Sequence, residues 1–402
     1  MPPQIQTSIY KPQTIERGLQ AQEKERQRQP VWSEIRYIAS LFLATRIALT
    51  LIGLMAHSLT ETGYGKQFSW SPLKWLDIWG VWDSFWYMDI VQNGYSTVGA
   101  IPDSPEQTNF PFFPLYPLLM KGLGTVLGGN YYVAGLIISN MCLLGTCYLL
   151  YKLVEGESDR KTARLSVKFL FLYPVSFILS GLFTESLYLF LCVLCFYMAQ
   201  RRNWVAVGLA GALLSATRTL GVLIVLPLAW EYLRSIDFKL NRIRLDVLWL
   251  ALVPLGLICF GLFSYQQTGD FFYFKTNQAA WNRQILSPLA VLLKALRQGL
   301  SEGKARILLE LSFSAIALAL STIHFKKIGF AYWTLCMYSL LIPLAAGIDS
   351  MARYTLPIFP LFIILAKISR NHDDWNDALT LFLGFLQGCL MVYWCTGQAL
   401  VV

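Results

Sequence analysis

Apolar runs of membrane-crossing size recur from residue 36 to residue 400, and they leave few architectures open. A hydrocarbon core ~30 Å thick takes about 20 residues of helix. Eleven candidate spans follow: 36–59, 131–151, 169–183, 186–200, 204–217, 219–233, 247–265, 306–323, 329–347, 353–367 and 378–400. The middle four are short, near fifteen residues each, and read as thinned, broken or protein-buried helices. Composition agrees: 14% of the 402 residues are charged and 55% are apolar, against roughly 25% charged in a soluble domain. Mean hydropathy is +0.47. An ordinary cytosolic enzyme, a disordered chain and a collagen-like chain are excluded; the expected class is an all-α polytopic membrane protein.

Residues 1–34 are polar and Gln-rich, with charges of both signs and no short apolar run before a cleavage site. They read as a cytoplasmic tail rather than a removable signal, ahead of a single transmembrane domain over 35–402. The net charge of +9 forms no basic stripe with interleaved aromatics, so nucleic acid is not an expected partner. The basic residues sit between apolar runs. With the tail inside, twenty-one fall on the inner side and ten on the outer, the asymmetry that holds loops in the cytoplasm. The multi-pass chain is expected in the plasma membrane if bacterial and in the endoplasmic reticulum membrane if eukaryotic.

The eight cysteines all lie in apolar segments. Cys192 and Cys195 have metal-pair spacing, but no second pair or histidine accompanies them, and helix packing is the reading taken. No phosphate-binding loop, dinucleotide glycine fingerprint or zinc-type His pair occurs. No cofactor is expected, and a divalent metal lacks a supporting cluster of acids.

Two segments predicted to lie outside, about 60–130 and 267–305, are too large and aromatic for connectors. In DIWGVWDSFWYMDIVQNGY (77–95), Trp79, Trp82, Trp86 and Ile90 follow helical spacing, which predicts a helix lying in the interface with its rings at headgroup depth. Asp83 and Tyr87, four apart, would share a face. Asp89 points elsewhere and reads as an acid facing water. Next, Pro111, Pro114 and Pro117 recur every third residue in NFPFFPLYPLL, which predicts a rigid extended polyproline piece. Its backbone must be buried in protein or line a wet cavity; its aromatics suit gripping a ligand or sealing the fold. In the second outer segment, Gln278, Trp281 and Arg283 of GDFFYFKTNQAAWNRQ (269–284) suit a cavity rim, the alternative being a solvated loop.

Ionisable residues in membrane spans cost about 2.5–3.5 kcal/mol on insertion scales, so each is a functional suspect. Arg46 lies mid-span. Glu185, Arg218 and Arg353 fall at the outer ends of their helices, in the leaflet of Asp83. Two arginines and two carboxylates thus collect beneath two aromatic loops. Arginine suits phosphate, and Asp83 or Glu185 suits proton removal from a hydroxyl held close to it. The alternative is a structural pair, Glu185 with Arg218.

VWDSFWYMDIVQNGY followed by NFPFFPLYPLL resembles the first outer loop of the PIG-V-type mannosyltransferases, which comprise the second mannosyltransferase of GPI assembly and its prokaryotic relatives, within the GT-C class of membrane glycosyltransferases. SGLFTESLYLFL (180–191), SATRTLGVLI (215–224), GDFFYFKTNQAAWNR (269–283) and MARYTLPIFPLF (351–362) extend the resemblance over most of the chain after the tail. It implies a GT-C fold, Asp83 as catalytic base, and inverting transfer of a hexose, mannose in this family. The implied donor is a polyprenyl- or dolichyl-phosphate sugar, and the implied acceptor a hydroxyl on a lipid, glycolipid or other membrane-associated partner at the non-cytoplasmic face. One departure is Val81, where a basic residue is expected before the Trp-Asp pair. Arg218, Arg353 or Arg283 would then bind the donor phosphate, while Trp82, Tyr87, Glu185, Gln278, Trp281 and Tyr354 line the substrate site. The rival readings are a lipid-linked sugar flippase without transferase activity and a non-catalytic assembly subunit.

Overall fold

A computed structural model of the chain describes residues 32–101, 106–281 and 286–400. Among them every regular element is helical. The predicted tail lies outside the described residues, apart from its last three positions.

In chain order the helices of eight residues or more, with one shorter helix at the site, are α1 (Trp32–Leu59), α2 (Ser84–Asn93), α3 (Leu115–Val126), α4 (Tyr131–Glu157), α5 (Arg160–Leu172), α6 (Glu185–Gln200), α7 (Trp204–Ser215), α8 (Val225–Ser235), α9 (Leu255–Thr268), α10 (Pro288–Glu302), α11 (Ala305–Ile323), α12 (Phe325–Ala346), α13 (Met351–Thr355), α14 (Pro360–Ser369) and α15 (Asp373–Cys395). Local chemistry explains several starts. Asn130, Asp159 and Asn203 each accept a hydrogen bond from the backbone N–H three residues on, at Val133, Thr162 and Ala206, the side-chain cap that an exposed helix start requires. Six helical stretches are long and apolar enough to cross a membrane: α1, α4, the run Leu245–Thr268 ending in α9, α11, α12 and α15. Three shorter apolar helices, α6, α7 and α14, pack among them. Lipid offers no hydrophobic drive between helices, so close packing and internal hydrogen bonds must hold such a bundle together. Trp394 of α15 sits at the centre, fully buried against Trp79, Phe177 and Phe183.

Four sequence expectations are corrected. The run 169–183 is not one helix. Helix α5 stops at Leu172 because Tyr173 precedes Pro174, and a residue before proline is pushed out of the helical region; a 3-10 turn, Ser176–Ser180, follows. This interruption is buried; Ser176 meets the Phe171 and Tyr173 carbonyls from within it, by Oγ (2.6 Å) and N–H (2.8 Å), and two more side chains reach it from elsewhere. Gln387 Nε2 of α15 donates to the carbonyls of Phe171 (2.7 Å) and Tyr173 (3.2 Å) and to Ser176 Oγ (2.6 Å). Arg46 of α1 reaches the Ser176 carbonyl at 3.4 Å. Second, the run 219–233 opens as a 3-10 turn, Thr219–Ile224, before α8 begins.

Third, the stretch 77–95 is not one interfacial helix: α2 starts only at Ser84, and Trp79 and Trp86 are buried in the protein. Fourth, the proline-rich stretch 109–119 is not extended polyproline. It turns at 109–114, and Pro117 lies in the first turn of α3, where its missing N–H costs nothing. Phe110 and Phe113 are buried against Tyr273, Phe260 and Phe274, so these aromatics seal the fold.

Candidate active site

Asp83 caps the start of α2 in sequence only. Its carbonyl accepts from Trp86 N (3.0 Å) and Tyr87 N (3.4 Å), but its carboxylate makes no capping bond. The preceding residue, Trp82, sits in the left-handed region at φ 53, which turns the chain and directs the carboxylate away from the helix end. Oδ2 instead accepts from Arg353 Nη1 at 2.5 Å. Arg353 lies in α13, whose start is fixed by Glu310: Oε2 of this fully buried acid of α11 accepts from Ala352 N at 2.6 Å.

Two more charges continue the line. Arg353 Nε lies 3.2 Å from Glu185 Oε1, an ion-pair approach without hydrogen-bond geometry. Arg218 Nη1 donates to the same Glu185 oxygen at 2.7 Å. Glu185 begins α6, and Arg218 stands in extended backbone between α7 and the turn Thr219–Ile224. Both guanidinium groups lie over the Tyr354 ring, at 5.1 Å for Arg218 and 5.9 Å for Arg353. The order is therefore Asp83, Arg353, Glu185, Arg218, with charges alternating and summing to zero. Glu185 is 2% exposed at its side chain and Asp83 21%, so of the two acids Asp83 is the one open to solvent.

That opening is a cavity of about 330 Å³. Asp83, Arg353, Tyr354, Trp82 and Gln278 line it. One wall carries two stacked pairs, Phe68 with Phe85 (4.8 Å) and Trp86 with Phe112 (5.5 Å). Gln107 and Gln278 form a polar rim where their two loops meet. There Asn277 Oδ1 accepts from Thr108 N and Oγ1 (3.2 and 2.9 Å), and its Nδ2 donates to the Glu106 carbonyl (3.0 Å). Asp83 is the one carboxylate among the described lining residues. No group of three or more His, Cys, Asp or Glu suited to a metal occurs among the described residues.

The other expected site residues divide. Tyr87 and Glu185 are buried beneath the cavity, off its wall; Tyr87 Oη pairs with Thr184 Oγ1 at 3.2 Å. The Glu185–Arg218 pair forms as the structural alternative foresaw, and Arg353 joins it to Asp83. Arg283 and the side chain of Trp281 lie outside the described residues. Arg46 stands apart, at the interruption after α5. Asp89 does not face water: it is 9% exposed and accepts from Asn93 (2.8 Å) and Asn109 (2.7 Å). Two residues were missed. Glu310 is an acid inside an apolar run and met the criterion applied to Arg46. Lys66, buried beside Asp77, left no signal beyond being basic in an aromatic loop.

No protein-family model matches the chain, and no curated protein matches it in sequence. The fold has solved counterparts. ArnT from Cupriavidus metallidurans, bound to undecaprenyl phosphate, superposes with a TM-score of 0.52 at 11% identity, over 90% of this chain and 76% of that one. This chain has the GT-C fold. The Archaeoglobus fulgidus oligosaccharyltransferase is similar at lower scores, for example 0.44 at 14% identity in complex with Zn and sulfate and 0.43 at 13% as AglB with an inhibitory peptide and a dolichol-phosphate. The GT-C chain described here spans about half the length of that oligosaccharyltransferase, 53% and 56% in the two comparisons.

Proposed function

We propose that the protein is an inverting GT-C glycosyltransferase of the PIG-V type. It transfers a hexose, mannose in this reading, from a polyprenyl or dolichyl monophosphate to a hydroxyl of a membrane-associated acceptor on the non-cytoplasmic side. The observation that carries the reading is the line Asp83–Arg353–Glu185–Arg218, whose exposed end is a single carboxylate in an aromatic and amide-lined cavity. ArnT, of the same fold, has been seen with undecaprenyl phosphate, which supports a lipid-phosphate donor.

The donor phosphate competes with Asp83 for the Arg353 fork, since guanidinium binds phosphate and carboxylate by the same geometry. Its arrival frees the Asp83 carboxylate to face the acceptor. Asp83 takes the hydroxyl proton while that oxygen bonds to the anomeric carbon and the carbon–phosphate oxygen bond breaks. The products are the glycosylated acceptor, the lipid monophosphate and protonated Asp83. The leaving phosphate gains a negative charge, which Arg353 stabilises in place of an acid. One carboxylate facing the cavity suffices for a single displacement with inversion, whereas a retaining enzyme needs a second carboxylate facing the sugar, and Glu185 is buried off the cavity wall. Glu185 holds the two arginines side by side, and Val81 needs no basic counterpart where Arg353 already reaches the cavity.

The test is mannosyl transfer from polyprenyl-phosphate mannose by purified protein in lipid. Asp83→Asn should lower turnover by about 10²–10⁴-fold. Wild-type turnover in that variant removes the reading.

A further inference from the structure

Among the described residues Lys66 is the one buried lysine. Its side chain is 5% exposed, and Nζ donates to the carbonyls of Phe68 (2.9 Å), Asp77 (2.9 Å) and Gly80 (3.1 Å) while lying 2.8 Å from Asp77 Oδ2. An ammonium has three protons and no acceptor, so these four oxygens saturate it. Asp77 Oδ1 in turn accepts from Trp70 N (2.6 Å) and Ser71 N (3.2 Å). One cation therefore ties its own stretch, 66–71, to the turn 77–80 of the first outer loop. Burial pushes its ammonium below the ordinary lysine range, with Asp77 opposing the shift.

The pinned region borders the strained residue. Gly80, held by Lys66, is two residues before Trp82, and Trp82 N donates to Gly65 O at 2.8 Å. A Cβ on Gly65 would stand 2.3 Å from the Trp82 ring, so that contact requires glycine. Gly65 N is itself bound to Gly397 O at 3.0 Å. A non-glycine residue in a sparsely populated backbone region is strained and persists only where its surroundings over-determine it. Here the chain is gripped on both sides of Lys66, and the residue after Trp82 is Asp83.

We propose that Lys66 is a positioning residue for transfer: it locks the left-handed turn at Trp82 that directs the Asp83 carboxylate to Arg353 and the cavity. The proposal rests on Asp83 being the base, but its geometric half can be measured without turnover. The experiment compares Lys66→Gln with wild type, full chain in lipid, by amide hydrogen exchange and by steady-state mannosyl transfer. Exchange in peptides across 78–88 should quicken about tenfold or more while the spanning helices keep their rates. The kcat should fall about tenfold or more, because small misplacements of a reacting group are costly. The donor KM should stay within about twofold, and Lys66→Arg should recover part of the kcat. Unchanged exchange across 78–88, unchanged kcat, or a fall in kcat matched by general loosening of the helices overturns the proposal. Should Lys66→Gln fail to fold, Gly65→Ala, which displaces the Trp82 ring from the other side, carries the same readouts. If Asp83→Asn retains turnover, the functional reading falls, and the exchange rates still decide whether Lys66 locks the turn.

Discussion

Arg353 and Asp83 already hold each other, Nη1 to Oδ2 at 2.5 Å. The expected phosphate ligand and the expected base thus block one another until a competing anion enters. On the proposed function the pairing makes the donor the key to the site: an acceptor arriving first would meet a carboxylate already paired with Arg353. Asp83→Asn removes the competitor without removing the arginine. That variant should bind polyprenyl-phosphate mannose as tightly as wild type or more so, while losing turnover; equilibrium binding of labelled donor checks it.

Arg353→Lys keeps the charge and loses the fork. A lysine is a compact point charge that cannot make the paired contact an arginine makes with phosphate. A charge-assisted hydrogen bond contributes about 1.5–3 kcal/mol, so the donor KM should rise about ten- to a hundredfold.

Glu185 neutralises two guanidinium groups at once, buried Arg353 and half-buried Arg218. Glu185→Gln leaves them facing each other, and breaking such a buried pair costs about 3–5 kcal/mol. Unfolding in detergent should show that loss. Adding Arg218→Gln should recover part of it, as residues in one network do not act additively.

Gln278 stands on the cavity rim next to the clasp that Asn277 makes with Thr108 and Glu106. Gln278→Ala removes a single neutral hydrogen-bonding group, about 0.5–1.5 kcal/mol. The KM of one substrate should rise about two- to tenfold with kcat retained, and separate titrations of donor and acceptor identify which one it touches.

Gly221 lies at the turn that presents Arg218. A Cβ there would come within 2.4 Å of Leu214 O and 2.9 Å of Ser215 N, and backbone atoms cannot swing aside as a side-chain tip can. Gly221→Ala should cost about 1–3 kcal/mol of stability, read as a lowered thermal midpoint, and turnover should fall as Arg218 shifts.

The long spans were legible because twenty apolar residues admit few alternatives. The gathering of Asp83, Glu185, Arg218 and Arg353 was legible for a related reason: charges in apolar surroundings must find one another. What hydropathy could not read was backbone shape inside protein. The run 169–183 is apolar throughout, yet it breaks at Tyr173–Pro174, where Ser176 and Gln387, the latter more than two hundred residues away, together meet the freed carbonyls. The tryptophan spacing suggested one helix because periodicity is blind to a left-handed residue at Trp82. Lys66 and Glu310 act on backbone groups, N–H or carbonyl, that the sequence string does not display.

The partnership of Gln387 with the interrupted segment has a consequence for biogenesis. Of the described helices, α15 leaves the ribosome last, so Phe171 and Tyr173 wait for more than two hundred further residues before their carbonyls gain this donor. Until then those carbonyls rely on Ser176, whose Oγ donates to Phe171 (2.6 Å) and whose N–H donates to Tyr173 (2.8 Å). The break thus gains its last donor from the helix whose end leads to Gly397, and Gly397 O in turn holds Gly65 N at 3.0 Å, in the loop against Trp82 and Asp83.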